Sequence, residues 1–356
     1  MTTVTSRRVA RAIRAGGPDV IAVETEHLGP LQADETLVRV AAVGLNHVET
    51  LVRSGRYSVA FPFPYAIGIE GAGTVVAVGS AVTIPIAARV CWTAVFGSCA
   101  THVIAPAAML APVPDDVTLE DAATLAHAAV TAEGLARHWP LAPAEFAVVW
   151  GAAGAVGRLL VSRLADRGIK VIGIASGRRT DAVRAVGAVD AIDRAGEDIL
   201  ARVLEITGGR KAAAVFDPIG AATYDTNIGL LAPRGCLVNY GQLSGSLPPL
   251  DLARLMEAGS IFVTKYGPRA GVVAVNELAP IIASTLLRSE MQPLSAGIAA
   301  RFPLESVIQA FRTMEAGAPG KVLVLPYVTV EDETSTAVRD CSTTPESSAA
   351  CERCPT

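Results

Sequence analysis

Between Val148 and Val161 the chain reads VVWGAAGAVGRLLV, an apolar run that breaks at glycines and resumes with apolar residues at helical spacing. Strand, glycines, helix is a setting able to hold a phosphate. The backbone N–H groups that open such a helix point outward, and its dipole favours an anion there. Gly151, Ala153, Gly154, Ala155, Val156 and Gly157 are therefore candidate contacts to a dinucleotide pyrophosphate. Gly154 leaves room for the phosphates to approach, and Gly157 lets the helix close on its strand. The pattern departs from G-x-G-x-x-G, because Ala152 replaces the first glycine and Gly151 stands one residue earlier.

The following strand bears on which dinucleotide fits. A carboxylate about 20 residues beyond the glycines would accept hydrogen bonds from a ribose 2′-hydroxyl. Here the strand ends VIGIASGRRTD, so Ser176 and Gly177 are followed by Arg178 and Arg179. Two guanidiniums and no carboxylate at that strand end favour a 2′-phosphate, hence NADPH. The competing reading has both arginines facing solvent at the start of the next helix. Asn239, Tyr240 and Gly241 close a later strand, and the carboxyl edge of a parallel sheet is where ligands are expected.

The elements needed to position these residues follow from the pattern on either side. Residues from about 35 to 115 read as short β-branched strands punctuated by Gly and Pro. From LEDAATLAHAAVTAEGLARHW onward, helical patterns alternate with strands such as FAVVWG, KVIGIAS and GCLVNYG, which predicts a parallel sheet covered on both faces. Two helices, over 272–289 and 304–316, and a strand KVLVLP complete the ordered part. A polar tail from 328 to 356 is expected to be disordered.

A chain of 356 residues with 51% hydrophobic content can fill two cores. Its formal charge of −4 gives no surplus to attract nucleic acid or an anionic membrane. The long uncharged runs over 71–88 and 90–114 are broken by Gly and Pro, so no membrane span is predicted, and the Arg-rich N-terminus lacks an apolar signal core. The expected address is the cytoplasm. Cys91, Cys99 and Cys236 read as buried thiols, and the C-x-x-C of Cys351 and Cys354 lies in a tail with no packed surroundings.

An ordered set of segments resembles a known family: AAVGLNHVETLVRSGRY, IGIEGAGTVVAVGSAV, VVWGAAGAVG, GAVDAID, EITGGRKAAAVFDPIG, LAPRGCLVNYGQLSG and GAPGKVLVLP. They are similar, in this order, to the medium-chain dehydrogenases/reductases, and most of all to the zinc-free NADPH:quinone oxidoreductase branch. The resemblance spans about residues 8 to 327. It implies an α/β protein, with a GroES-like β domain (1–120 and 268–327) and a Rossmann domain of doubly wound parallel sheet (121–267), the active site lying between them. It also implies a homodimer paired through the strand in SIFVTKYG.

Set against the zinc-dependent members, Asn46 stands in place of a Cys ligand, Gly68-Ile69-Glu70 in place of Gly-His-Glu, and Val48 in place of the relay hydroxyl. His127 falls near a third ligand position, but one imidazole does not hold zinc, so no metal is expected. By resemblance, Asn46 and Tyr57 line the substrate side and can donate to a carbonyl oxygen, His47 is a candidate proton donor, Thr131 lies near the nicotinamide, and Arg194 contacts the 2′-phosphate. Glu49 replaces the family's Asp, and the usual Gly-Asp-Arg-Val reads Ala87, Ala88, Arg89, Val90. Without metal, the expected acceptor is already electron-poor: a small-molecule quinone or an activated enone that takes hydride directly. The alternatives are a biosynthetic enoyl or alkene reductase, in which Tyr57 protonates the α-carbon, and a nucleotide-binding non-redox protein on the same fold.

Overall fold

The computed structural model describes residues 4–57, 61–267, 272–288 and 294–328. The N-terminal part contains β1 (Ser6–Ala12), β2 (Ile21–His27), β3 (Glu35–Gly44), α1 (His47–Arg53), β4 (Tyr65–Ala66), β5 (Glu70–Val78), β6 (Arg89–Thr93), β7 (His102–Pro106) and β8 (Ala111–Pro112). Next come α2 (Leu119–His138), β9 (Phe146–Trp150), α3 (Ala155–Asp166), β10 (Lys170–Ala175), α4 (Arg179–Arg184), β11 (Asp190–Asp193) and α5 (Ile199–Thr207). These are followed by β12 (Ala212–Asp217), α6 (Tyr224–Leu230), β13 (Leu231–Asn239), α7 (Leu252–Glu257) and β14 (Phe262–Lys265). The chain then returns through α8 (Leu278–Leu286), β15 (Ile298–Pro303), α9 (Val307–Glu315) and β16 (Lys321–Leu325).

All five residues of β9 are buried, and they feed two cores in alternation. Ala147 and Val149 join the cluster that contains α2 and α3, while Phe146, Val148 and Trp150 join the cluster on the opposite face. That is why this strand reads as an unbroken apolar run. The six parallel strands stand in the order β11-β10-β9-β12-β13-β14. Strand order reverses between β9 and β12, and the crevice beyond their carboxyl ends is the binding place such a sheet provides. The expected α/β class, with a β-rich part and a doubly wound parallel sheet, is the observed one.

The second large sheet runs β15-β16-β3-β5-β6-β8, with β7 also on β3. Its C-terminal strand arrives from the far end of the chain: Leu323 pairs with Gly44 and Val324 with Val43, and the Leu45 N–H donates to the Val322 carbonyl at 3.0 Å. This pairing brings the start of β16 beside Asn46. Helix α2 joins the two sheets, since its alanines lie in one cluster with Ala42, Ala72 and Cys91 on one side and with Val149 and Leu160 on the other. Thr118 caps it by accepting the Asp121 N–H at 3.0 Å, and Arg137 and His138 lie in its last turn, where the negative end of the dipole favours a cation.

Two details differ from the sequence reading. The helix expected over 272–289 is shorter, because Glu277 accepts the Ala274 N–H at 2.9 Å and a 3-10 turn precedes α8. The helix expected over 304–316 likewise opens with a 3-10 turn before α9. Cys91, Cys99 and Cys236 are buried and free, as expected. The expectations for the tail, including Cys341, Cys351 and Cys354, lie outside the described residues beyond 328. Among the described residues no helix is long and apolar enough to cross a membrane.

Candidate active site

The glycine turn lies at the switch between β9 and β12. Gly151 adopts φ +61°, a left-handed conformation that glycine takes without a side-chain clash. A Cβ on Gly157 would stand 2.2 Å from the Gly151 carbonyl oxygen, so close packing of α3 on β9 requires glycine there. Gly154 is the N-cap, has no side chain to satisfy the helix, and is exposed. Within the turn the Gly154 N–H donates to the Gly151 carbonyl at 2.9 Å, and in α3 the Arg158 N–H is the first to reach a carbonyl, that of Gly154 at 3.0 Å. The N–H groups of Ala155, Val156 and Gly157 therefore have no helical carbonyl to reach. Ala153 is buried, and its carbonyl accepts from Arg158 Nε at 3.0 Å.

At the end of β10 the chain turns through Gly177 with φ +53°. Arg178 caps α4 and Arg179 opens it; both are exposed, and neither forms an ion pair among the described residues. Cations at a helix N-terminus oppose its dipole, so a local anion would relieve them. Arg194 belongs to the same corner, its Nε donating to Ser176 Oγ at 2.8 Å. The sequence reading missed Asp193, which arrives on β11 and accepts the N–H groups of Gly177 at 2.9 Å and Ala195 at 3.0 Å. Those two backbone bonds hold its pKa below the ordinary carboxyl value.

Asn239 and Gly241 brace the sheet edge. Asn239 is buried, its Nδ2 donates to the Asp217 carbonyl at 3.1 Å, and its Oδ1 accepts from Lys265 Nζ at 2.6 Å. Asp217 in turn accepts the N–H groups of Ile219 at 2.7 Å and Gly220 at 3.1 Å, together with the Thr223 hydroxyl at 3.0 Å. The Asn239 side chain is thus engaged in holding strand ends together. A Cβ on Gly241 would meet the Pro218 carbonyl at 2.2 Å. Tyr240 is half-buried against the core, and burial pushes its hydroxyl pKa upward.

Of the substrate-side candidates, Asn46 joins a cluster of polar side chains under α2. Asn46 caps α1, its Nδ2 donating to Glu70 Oε1 at 2.9 Å and to the Gly44 carbonyl at 3.2 Å. Its Oδ1 accepts from Lys321 Nζ at 2.8 Å, and an ammonium, which can only donate, fixes which end of the amide faces it. Lys321 also pairs with Glu70. Glu70 is 0% exposed and Lys321 8%, so this pair is built into the floor of the site. Glu70 Oε2 accepts the His127 N–H at 2.6 Å, and Thr93 Oγ lies 3.1 Å from His127 Nδ1. Both Asn46 amide hydrogens are thereby used inside the protein, so in this arrangement the expected donation to a substrate carbonyl has no hydrogen left to make it. Nothing local in the sequence marks Lys321 or Thr93 as members of the cluster. The one signal is a lone lysine leading a wholly apolar strand.

His47 opens α1 and is solvent-accessible, yet desolvation by the surrounding chain and the Lys321 charge keep its pKa below the ordinary imidazole value. Tyr57 follows α1, its N–H donating to the Leu51 carbonyl at 3.0 Å. Its half-buried hydroxyl has no hydrogen-bond partner among the described residues, and none joins it to Asn46 or His47. The neighbouring Arg56 carbonyl lies 3.5 Å from Gln242 Nε2, which brings the loop after β13 to the turn after α1. Along α2, residues 122–126, 128, 129 and 132–136 are buried, whereas His127, Val130 and Thr131 are partly open. One turn beyond Thr131, Gly134 abuts Tyr266, whose hydroxyl would be 1.8 Å from an added Cβ. Tyr266 directly follows β14, so about 10 Å of α2 connects the Glu70 cluster to the carboxyl edge of the parallel sheet, with Thr131 between.

Residues 32–115 match the alcohol dehydrogenase GroES-like domain family, and residues 155–269 match the zinc-binding dehydrogenase family. The chain is 35% identical over 255 residues to a quinone oxidoreductase of Pseudomonas aeruginosa, covering 70% of this chain and 78% of that one. It is 30% identical over 264 residues to a 2-haloacrylate reductase of a Burkholderia species, covering 71% and 78% respectively. Among solved structures, the Escherichia coli quinone oxidoreductase complexed with NADPH superposes with a TM-score of 0.78 at 26% identity, covering 90% of this chain and 100% of that one. With its two sheets, its glycine turn at the switch point and relatives of this kind, the chain belongs to the medium-chain dehydrogenase/reductase superfamily, in its quinone oxidoreductase-like branch.

Proposed function

We propose that this protein is an NADPH-dependent oxidoreductase that reduces a quinone or an activated enone without a catalytic metal. The observation that carries the reading is the cradle at the switch point. Unanswered N–H groups on Ala155, Val156 and Gly157 stand ready for a pyrophosphate, and the unpaired Arg178 and Arg179, with Arg194, for a 2′-phosphate. Bound NADPH supplies a hydride from its nicotinamide. The chain's share is to align the acceptor and stabilise the oxyanion that develops on it.

Zinc does not fit the donor set beneath α2. An open catalytic zinc site uses three protein ligands. Here an amide occupies one position, the Glu70 carboxylate is paired with the Lys321 ammonium, and the His127 Nδ1 is engaged with Thr93. A divalent cation would have to displace a buried lysine charge. Among the described residues no three His, Cys, Asp or Glu side chains are grouped to hold one.

The test is to mix purified protein with NADPH or NADH and a panel of quinones and enones, following loss of nicotinamide absorbance. Quinone turnover with NADPH is the expected result, and tight NADPH binding without oxidation by any acceptor would overturn it. Similarity to a 2-haloacrylate reductase supports a second reading, reduction of an activated alkene, with the open Tyr57 hydroxyl as proton source. Transfer of deuterium from C4-labelled NADPH to product carbon distinguishes reduction at carbon from quinol formation.

The same reading assigns residues 1–120 and 268–327 to the substrate side and 121–267 to the cofactor. It also includes a homodimer paired along β14, which lies at the outer edge of its sheet with Phe262 43% exposed. Light scattering that returned a monomer at micromolar concentration would refute the pairing.

A further inference from the structure

His127 differs from the other polar groups of the cluster in having one end fixed and the other open. Its backbone N–H is anchored on Glu70 at 2.6 Å, and its Nδ1 faces Thr93 Oγ at 3.1 Å. Thr93 is buried, and its hydroxyl meets no other partner among the described residues. A buried hydroxyl hydrogen needs an acceptor, and Nδ1 is the one within reach. Thr93 therefore donates to Nδ1, which leaves the ring hydrogen on Nε2. Nε2 has no partner among the described residues, and His127 is partly open to solvent. Thr131, one turn further along α2, is partly open as well.

We infer that His127 is a catalytic residue of this site, its neutral imidazole donating the Nε2 hydrogen to the carbonyl oxygen of the acceptor, with Thr93 as the positioning residue that sets the tautomer. The inference rests on the reductase reading above and deepens it. It supplies the donor that Asn46, with both hydrogens used, does not. A neutral imidazole can polarise a carbonyl by hydrogen bonding without giving up its proton. Burial, reinforced by Lys321, lowers the His127 pKa and favours that neutral form, while Glu70 opposes the shift. In the hydride step, the electron pair arriving at the acceptor ends on its oxygen. Nε2–H stabilises that oxygen, and solvent provides the proton that completes the product.

The experiment compares wild type, His127→Leu, His127→Gln and Thr93→Val for kcat, KM and NADPH affinity with one quinone, alongside nitrogen NMR of histidine-labelled wild type. His127→Leu should lower kcat/KM about 100-fold, mainly through kcat, with NADPH affinity unchanged. His127→Gln, whose amide N–H can replace Nε2–H, should recover about tenfold of that loss, and Thr93→Val should cost about tenfold. The NMR signals should report a neutral ring protonated on Nε2. A ring protonated on Nδ1, or a His127→Leu enzyme within about threefold of wild type, overturns the role of His127 and leaves the reductase reading standing. Wild-type protein that binds NADPH but passes its hydride to none of the quinones or enones tried overturns both.

Discussion

At the N-terminus of α3 the site is made of bare backbone: three glycines, no capping side chain, and N–H groups left without acceptors. Beneath α2 the construction is the opposite. Asn46, Glu70, Lys321, Thr93 and His127 come from five separate elements or their caps, and their side chains are bound to one another. The first region is unsatisfied and awaits an anion. The second satisfies itself internally and leaves His127 Nε2 without a partner among the described residues. Affinity for the cofactor should therefore depend on leaving the turn empty, and stability of the fold on keeping the cluster complete.

The largest effect should come from breaking the cluster. Lys321→Met leaves the fully buried Glu70 carboxylate without its cation, and removing one partner of a buried pair costs about 3–5 kcal/mol. Chemical denaturation should register that loss, whereas NADPH affinity at temperatures where the variant stays folded should change little. Filling the turn should do the reverse. Gly154→Val puts a side chain at the exposed N-cap, where an added Cβ has only the Gly151 carbonyl, 3.2 Å away, within 4 Å, so the fold should hold while NADPH affinity measured by fluorescence titration falls by about 100-fold or more.

Much of the turn was legible in the sequence because its chemistry is local. Strand, glycines, helix and the following Ser176, Arg178 and Arg179 lie within about thirty residues, and the backbone performs the function. The cluster was legible only in fragments. Asn46, Glu70 and His127 drew notice as departures from a zinc site, but their union depends on β16 returning to pair with β3, which places Lys321 beside Asn46. No periodicity reports a contact across 275 positions. Asn239 illustrates the converse: it lies at the expected sheet edge, yet Asp217 and Lys265 take up its amide. Asp193 escaped notice because it enters the 2′ corner from the neighbouring strand, which the reading of the β10 end did not include.

A smaller effect should sharpen the comparison at the 2′ corner. Replacing both Arg178 and Arg179 by Ala should weaken NADPH by about 10- to 100-fold, at the order of one or two charge-assisted hydrogen bonds, and leave NADH almost unchanged. Isothermal titration with both nucleotides measures this, and equal losses for the two would remove the arginines from 2′-phosphate recognition.

The last effect concerns pH. Glu49 is buried in α1 with Oε1 unpartnered, and burial first, then Glu70, raises its pKa from 4.5 to about 7. The folded state therefore binds this proton more tightly than the unfolded state, so the contribution to stability declines as pH rises from 4.5 to about 7 and is level above. Glu49→Gln should flatten that slope in denaturation curves. NADH, which lacks the titrating 2′-phosphate, should bind at the uncharged glycine turn with no matching trend over the same range.

The most direct test of the central claim is NADPH oxidation by a quinone, measured before and after exhaustive chelation of the protein. Metal-free hydride transfer predicts the same rate in both samples. A rate abolished by chelation and restored by zinc would contradict it, because the site would then have to open the Lys321–Glu70 pair to a metal.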